Sequence, residues 1–242
     1  MNNYKNIPSL KQYVLTNKNK DEAVLLKAGK EWAKTCSVNK LMYEIEWLGV
    51  PVIQTPEDIV LMQEVIFKVQ PDVIIECGIA HGGGMIFEAS LLEILGKGKV
   101  IGIDVDIREH NRKVLEAHPL IKRIEMIQGS SIAPEVIEEV KKRIPAGAVV
   151  LAFLDSDHTK PHVLKELELY QQFIPVGSYL VAMDTMSSEW AKAGITDPKF
   201  ADNGPAEAVI EFFKTNDNFV IDKEFNKLYS SHCQDGYLKR VK

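Results

Sequence analysis

From residue 72 to residue 184 the chain repeats one unit: a short apolar run, a turn, then a helical stretch. The runs are Val73–Cys77, Val100–Asp104, Ile124–Gln128, Ala148–Leu154 and Tyr179–Met183. Most are nearly continuous in apolar residues, whereas a strand with one wet face alternates apolar and polar residues. Helical patterns lie between them at Met85–Leu95, Arg108–Ala117, Pro134–Ile144 and Lys160–Phe173. Gly96, His118-Pro119 and Pro145 end the first three of these. Strands alternating with helices predict a parallel sheet covered on both faces, and right-handed crossovers make it doubly wound.

The tail breaks the alternation. Ala206–Lys214 is helical in pattern. Phe219–Ile221 and Tyr237–Val241 read as two strands with nothing helical between them, a terminal antiparallel β-hairpin. The expected fold is therefore α/β, with a doubly wound, mostly parallel seven-stranded sheet. Upstream, Thr55 suits an N-cap and Pro56 the first position of a helix that Pro71 closes. Residues 1–50 differ in texture: Lys- and Asn-rich to about 20, then helical from Asp21 to Lys34. Trp32, Met42, Tyr43, Trp47 and Leu48 in this arm must pack on the main domain or on a second subunit. We divide the chain into an N-terminal helical extension, 1–50, and a main domain, 51–242. The apolar arm tilts the expectation toward a homo-oligomer.

Composition excludes several classes. With 45% hydrophobic and 26% charged residues, the chain is not disordered as a whole. A net charge of −5 argues against a nucleic-acid partner. Cys36, Cys77 and Cys233 are odd in number and none pairs at metal or redox spacing, so reduced thiols in the cytoplasm are expected. No apolar run approaches the ~20 residues of a membrane span, and no apolar h-region follows Met1.

In an open parallel sheet, ligands bind beyond the carboxyl ends of the strands. Those ends carry Glu76-Cys77-Gly78, Asp104, Gly129-Ser130-Ser131, Asp155-Ser156-Asp157-His158 and Asp184-Thr185. Carboxylates crowded on one edge are unfavourable unless a cation or polar ligand bridges them. Gly78 and Gly82-Gly83-Gly84 form a glycine loop without dinucleotide G-x-G-x-x-G spacing and without a P-loop Lys. An acid before the loop, with Asp104 placed for both hydroxyls of a ribose, fits an adenosine cofactor lacking a pyrophosphate: S-adenosylmethionine. The cofactor contacts expected are Glu76, Gly78, His81, Gly82, Asp104, Ser130 and Asp155. Asp155 and Asp184 end adjacent strands and could hold a hard cation such as Mg²⁺. His158, three residues after Asp155, is the candidate catalytic base. Asp157 is a helix cap or a further ligand. His162 reads as a surface residue, and His232 and Cys233 read as having no metal role.

These motifs together resemble the cephalosporin hydroxylase-type methyltransferases, which include rhamnosyl O-methyltransferases. The residues carrying the resemblance are Ile75–Gly83, Ile103–Arg108, Gly129–Ser131, Leu154–His158 and Gly236–Arg240. It implies a class I, Rossmann-like fold, S-adenosylmethionine, a divalent metal and O-methylation of a small-molecule hydroxyl. Carried over by position, Glu76 and Gly78 line the methionine side, Asp104 holds the ribose and Ser130 lies near the adenine. Asp155 is the first metal ligand. The resemblance also implies a Glu-Asp pair after the fifth strand, where this chain has Met183-Asp184, so a cation would bind more weakly or draw on Asp157. The acceptor site is expected from residues 1–50 and from a long loop, Ser187–Gly204. Two rivals remain: a nicotinamide-dependent oxidoreductase, which the glycine spacing disfavours, and a catalytically silent S-adenosylmethionine-binding protein.

Overall fold

The computed structural model describes residues 20–242, so the leading part of the 1–50 extension, residues 1–19, lies outside the described residues. Helix α1 (Glu22–Val38) begins on Asp21, whose side chain accepts from Val24 N, and runs longer than the sequence pattern suggested. Two short strands, β1 (Glu46–Trp47) and β2 (Val50–Pro51), pair antiparallel and lead to α2 (Pro56–Val69). Thr55 caps α2 by accepting from Asp58 N. The expected alternation follows: β3 (Val73–Cys77), α3 (Gly83–Leu95), β4 (Lys99–Asp104), α4 (Glu109–Ala117) and β5 (Ile124–Gln128). It continues through α5 (Pro134–Arg143), β6 (Val150–Leu154), α6 (Lys160–Tyr170) and β7 (Tyr179–Ala182).

Helices α7 (Ser187–Lys192) and α8 (Pro205–Phe212) come next, then β8 (Phe219–Ile221) and β9 (Tyr237–Arg240). Two details differ from the sequence reading. The stretch 187–204 is not bare loop, because it contains α7 and a 3₁₀ turn at Pro198–Phe200. A second 3₁₀ turn, Lys223–Asn226, lies between β8 and β9 where nothing helical was expected. It buries Phe225, which stacks on Tyr237 at 4.3 Å, so packing rather than local propensity selects it.

The sheet order is β5-β4-β3-β6-β7-β9-β8. Strands β3 to β7 pair parallel, and β9 pairs antiparallel with both β7 and β8. Successive residues of a strand face opposite sides, and two cores result. Ile74, Leu151, Phe153 and Val181 pack with α2, α3 and Leu115 of α4. Val73, Ile75, Ala152 and Leu180 pack with α5, α6 and α8. Every residue of β3 and β6 is buried, which explains their unbroken apolar runs. Among the described residues no helix is long and apolar enough to cross a membrane.

Candidate active site

Strand order reverses between β3 and β6, and a crevice opens beyond their carboxyl ends. The backbone closes tightly there: Asp155 N donates to Cys77 O at 2.8 Å, and Gly78 N to Ile103 O at 2.8 Å. Gly78 has φ +98°, and a Cβ on it would lie 2.1 Å from Asp155 O. Glycine is therefore required for both conformation and space. Gly84, at the start of α3, leaves room for Glu76, whose Oε1 would lie 2.1 Å from an added Cβ.

A first cavity of about 350 Å³ runs along these strand ends and is lined by Gly78, Asp104, Ser130, Asp155 and Ser156, among others. Asp104 Oδ2 accepts from Ile79 N (2.8 Å) and Ala80 N (3.2 Å), and Oδ1 from Asp106 N (2.9 Å). The carboxylate thus holds the glycine loop while lining the cavity. His81 and Gly82 do not line it. His81 Nδ1 lies 3.4 Å from Asn111 Oδ1, and Gly82 packs against the Leu115 side chain. The surface reading of His162 is corrected: it lines this cavity, with Nε2 within 3.1 Å of Ser131 and Ser156 Oγ at the ends of β5 and β6. Asp157 lines the first cavity and accepts from Thr159 N at 2.8 Å, a turn just ahead of α6, whose N-cap is Thr159 itself.

A smaller cavity adjoins the first through Gly78, Ala80 and Asp155, and reaches Glu76. Glu76 Oε2 is buried without a partner, and both carboxylate oxygens of Glu88 in α3 are likewise unpartnered. Burial first, then the charges of Glu88, Asp155 and Asp104, push Glu76 well above the usual carboxylate range. Burial and the Asp155 charge do the same to Glu88.

His158 bridges the two predicted metal ligands. Its Nε2 lies 3.3 Å from Asp155 Oδ1 and its Nδ1 3.2 Å from Asp184 Oδ2. Burial opposes a charge on the imidazole, but Asp184 and Asp155 outweigh it and hold His158 well above the usual histidine range. Burial raises Asp155 despite the His158 hydrogen bond, whereas the His158 charge holds Asp184 below the usual carboxylate range against burial. Ligand atoms of Asp155, His158 and Asp184 all lie within 4.8 Å of one another. Met183 is not among them, since its side chain is buried and its sulfur meets Cys233 Sγ at 3.7 Å. Sequence reasoning missed Gln54, whose Nε2 donates to Asp155 Oδ2 at 2.8 Å. No motif surrounds Gln54; only the fold brings it there.

A third cavity, about 320 Å³, begins at His158 and Asp184. The N-terminal arm lines it with Ser37, Lys40, Met42 and Tyr43, and the stretch after β7 with Trp190, Thr196 and Phe200. His232, given no role from the sequence, also lines it, its Nδ1 4.0 Å from Asp184 Oδ1. Buried Asp58 anchors that segment by accepting from Ser231 Oγ (2.6 Å) and His232 N (3.1 Å).

The family model for rhamnosyl O-methyltransferase/CmcI matches residues 39–241. A rhamnosyl O-methyltransferase of Mycobacterium leprae is 29% identical over 141 residues, covering 57% of this chain and 59% of that protein. One from Mycobacterium bovis (strain BCG) is 27% identical over 160 residues, covering 64% and 62%. The chain thus spans about six-tenths of the length of the curated relatives it matches. Among solved structures, an apo form of CmcI aligns with TM-score 0.60 at 19% identity, over 83% of this chain and 77% of that one. A CmcI structure with Mg and SAM gives 0.57 at 18% identity, over 83% and 78%. An O-methyltransferase from Bacillus cereus in complex with SAH gives 0.52 at 15% identity, over 96% of both chains. At these identities the structural likeness carries the fold, the Rossmann-like seven-stranded sheet expected from the sequence.

Proposed function

The chain belongs to the rhamnosyl O-methyltransferase/CmcI family, and from that premise we propose that it is an S-adenosylmethionine-dependent O-methyltransferase acting on a hydroxyl of a sugar or natural-product small molecule. The observation that carries this is a run of three cavities: the smaller one holds Asp155, His158 and Asp184, sharing Asp155 with the first and His158 and Asp184 with the third. The residues present fit the cofactor. Gly78 lines the first cavity with bare backbone, and Asp104 stands at the cavity wall with oxygens for the ribose. The buried, unpartnered Oε2 of Glu76 fits the ammonium of a methionine end.

Asp155 and Asp184 fit a divalent cation as two carboxylate ligands, with the remaining positions open to water and acceptor oxygens. The bound sulfonium supplies an electrophilic methyl group, and a bound cation favours ionisation of a nearby hydroxyl. This chain's residues do the rest. Asp104 and Gly78 fix the donor. The third cavity orients the acceptor hydroxyl toward His158, and its volume suits a small molecule. Neutral His158 accepts the hydroxyl proton at an imidazole nitrogen, and Asp155 and Asp184 stabilise the imidazolium that forms. The gain comes from positioning and charge stabilisation.

The test is calorimetric titration with S-adenosylhomocysteine, with and without Mg²⁺, followed by methyl transfer to a panel of hydroxyl acceptors. Micromolar binding, on the order of −8 kcal/mol, is expected for the wild type and lost in Asp104→Ala. No binding by the wild type overturns the reading. Binding without transfer to any acceptor would favour the silent cofactor-binding protein, the outcome that Met183 in place of an acid would produce.

A further inference from the structure

One group of polar side chains at the first cavity is unused by the mechanism above. Glu166 in α6 is fully buried, and its Oε1 is the focus of three neighbours. Ser131 Oγ donates to it at 2.5 Å and Ser156 Oγ at 2.6 Å. His162, one turn earlier in α6, lies at 3.4 Å through Nε2, which is also 3.0 Å from Ser131 Oγ and 3.1 Å from Ser156 Oγ. Tyr170 OH donates to Ser131 O at 2.8 Å and fixes the backbone of that serine. Ser131, Ser156 and His162 line the cavity, at the end away from Glu76, while Glu166 stands behind them.

The arrangement fixes the direction of both hydroxyls. A carboxylate only accepts, and each serine has one proton. Both protons point inward, to Glu166. What Ser131 and Ser156 can still offer a ligand is lone pairs. Turning either hydroxyl outward would strip a donor from a buried carboxylate, which is unfavourable. The two serines therefore accept and do not donate, while His162 turns its Nε2 to the same three oxygens.

We propose that Glu166 is a positioning residue for base recognition: by turning the Ser131 and Ser156 hydroxyls inward it makes the site select a 6-amino purine over a 6-oxo purine. The inference rests on the reading that this cavity holds the adenosyl group of the cofactor. The exocyclic amine of adenine donates and meets acceptors. The carbonyl of the 6-oxo base would meet lone pairs instead, and a site built for a donor rejects the analogue lacking it.

The experiment compares S-adenosylhomocysteine with its 6-oxo analogue, S-inosylhomocysteine, by calorimetry on the full chain. The wild type is expected to prefer the amino ligand by at least about 100-fold. In Glu166→Gln the new amide N–H donates to one serine and frees its proton, so the preference should fall to roughly tenfold or less. A folded Glu166→Gln protein that keeps the wild-type ratio overturns the proposal, since a merely structural role would shift both affinities together. If that variant does not fold, Ser131→Ala/Ser156→Ala takes its place: lost discrimination supports the proposal, and retained discrimination overturns it. A wild type that binds neither ligand overturns the cofactor reading itself. A wild type that binds both equally overturns only the role of Glu166.

Discussion

His158 is held between two carboxylates, each of which favours its charged form. The neutral base therefore appears only at higher pH. In the cation-free protein the imidazole should titrate above the ordinary histidine value of ~6.5, as NMR would follow, and a value at or below it would remove Asp155 and Asp184 as its partners. His158→Gln should leave S-adenosylhomocysteine affinity within a few-fold and lower transfer by roughly 10²–10⁴, as steady-state rates and calorimetry would reveal. Glu88 makes a different prediction. It is fully buried with both oxygens unpartnered, and its folded pKa is raised, first by burial. A group raised in this way contributes its full stability below the unfolded value, ~4.3, and loses it as pH rises through the folded value. Glu88→Met should then stabilise the protein by about 1–3 kcal/mol, with a larger Tm gain at pH 8 than at pH 5. An equal gain at both pH values would mean that Glu88 does not titrate.

Among the elements, the β3–α3 turn is the most constrained. Gly78→Ala must hold a side chain at φ +98° and against Asp155 O. It should cost about 2 kcal/mol or more and abolish S-adenosylhomocysteine binding, measured by urea denaturation and calorimetry. Wild-type affinity in that variant would mean that the turn opens easily. This turn was legible in the sequence, as were the strands. A parallel strand buried on both faces leaves a continuous apolar run, so 73–77 matches the observed bounds; 124–128 also matches, as an edge strand that is only partly buried. The pieces that were not legible are short. Each of β1 and β2 has two residues, and α7 is six residues rich in Ser, Glu and Lys, held by Trp190 packing on Ala33 and Met186. Their reasons for existing are long-range contacts, which no local period records. The same holds in the site. Asp155, His158 and Asp184 lay at strand ends and could be read off; Gln54, His162 and His232 come from outside those motifs. Two isolated acids in buried helix faces, Glu88 and Glu166, were the one available signal, since such residues are seldom fully buried without a role.

At the scale of the molecule, the sheet and the arm are held by different forces. The strands share two large apolar cores. Helix α1 buries only Ala33 and Cys36, and beyond the small cluster of Ala33 with Met186 and Trp190 it reaches its neighbours through polar links. These are Lys30 to Glu189, Trp32 Nε1 to Glu57 at 3.2 Å, and Ser37 Oγ to His232 Nε2 at 3.4 Å. Exposed pairs of this kind contribute little. Hydrogen exchange should therefore find α1 opening well before β3, β4 and β6. Protection of α1 equal to that of β3 would mean that a further surface covers it.

That difference in anchoring has a practical side. The third cavity takes much of its wall from 37–43 and 187–200, stretches outside the seven-stranded sheet, with Ile53, Gln54, Thr55 and His232 beside them. Its chemistry at Asp155 and Asp184 belongs to the sheet. On the proposed activity, recognition and reaction fall largely in separable passages of the chain. If so, rewriting the two outer passages should retune which acceptor is taken and leave Asp155 and Asp184 in place.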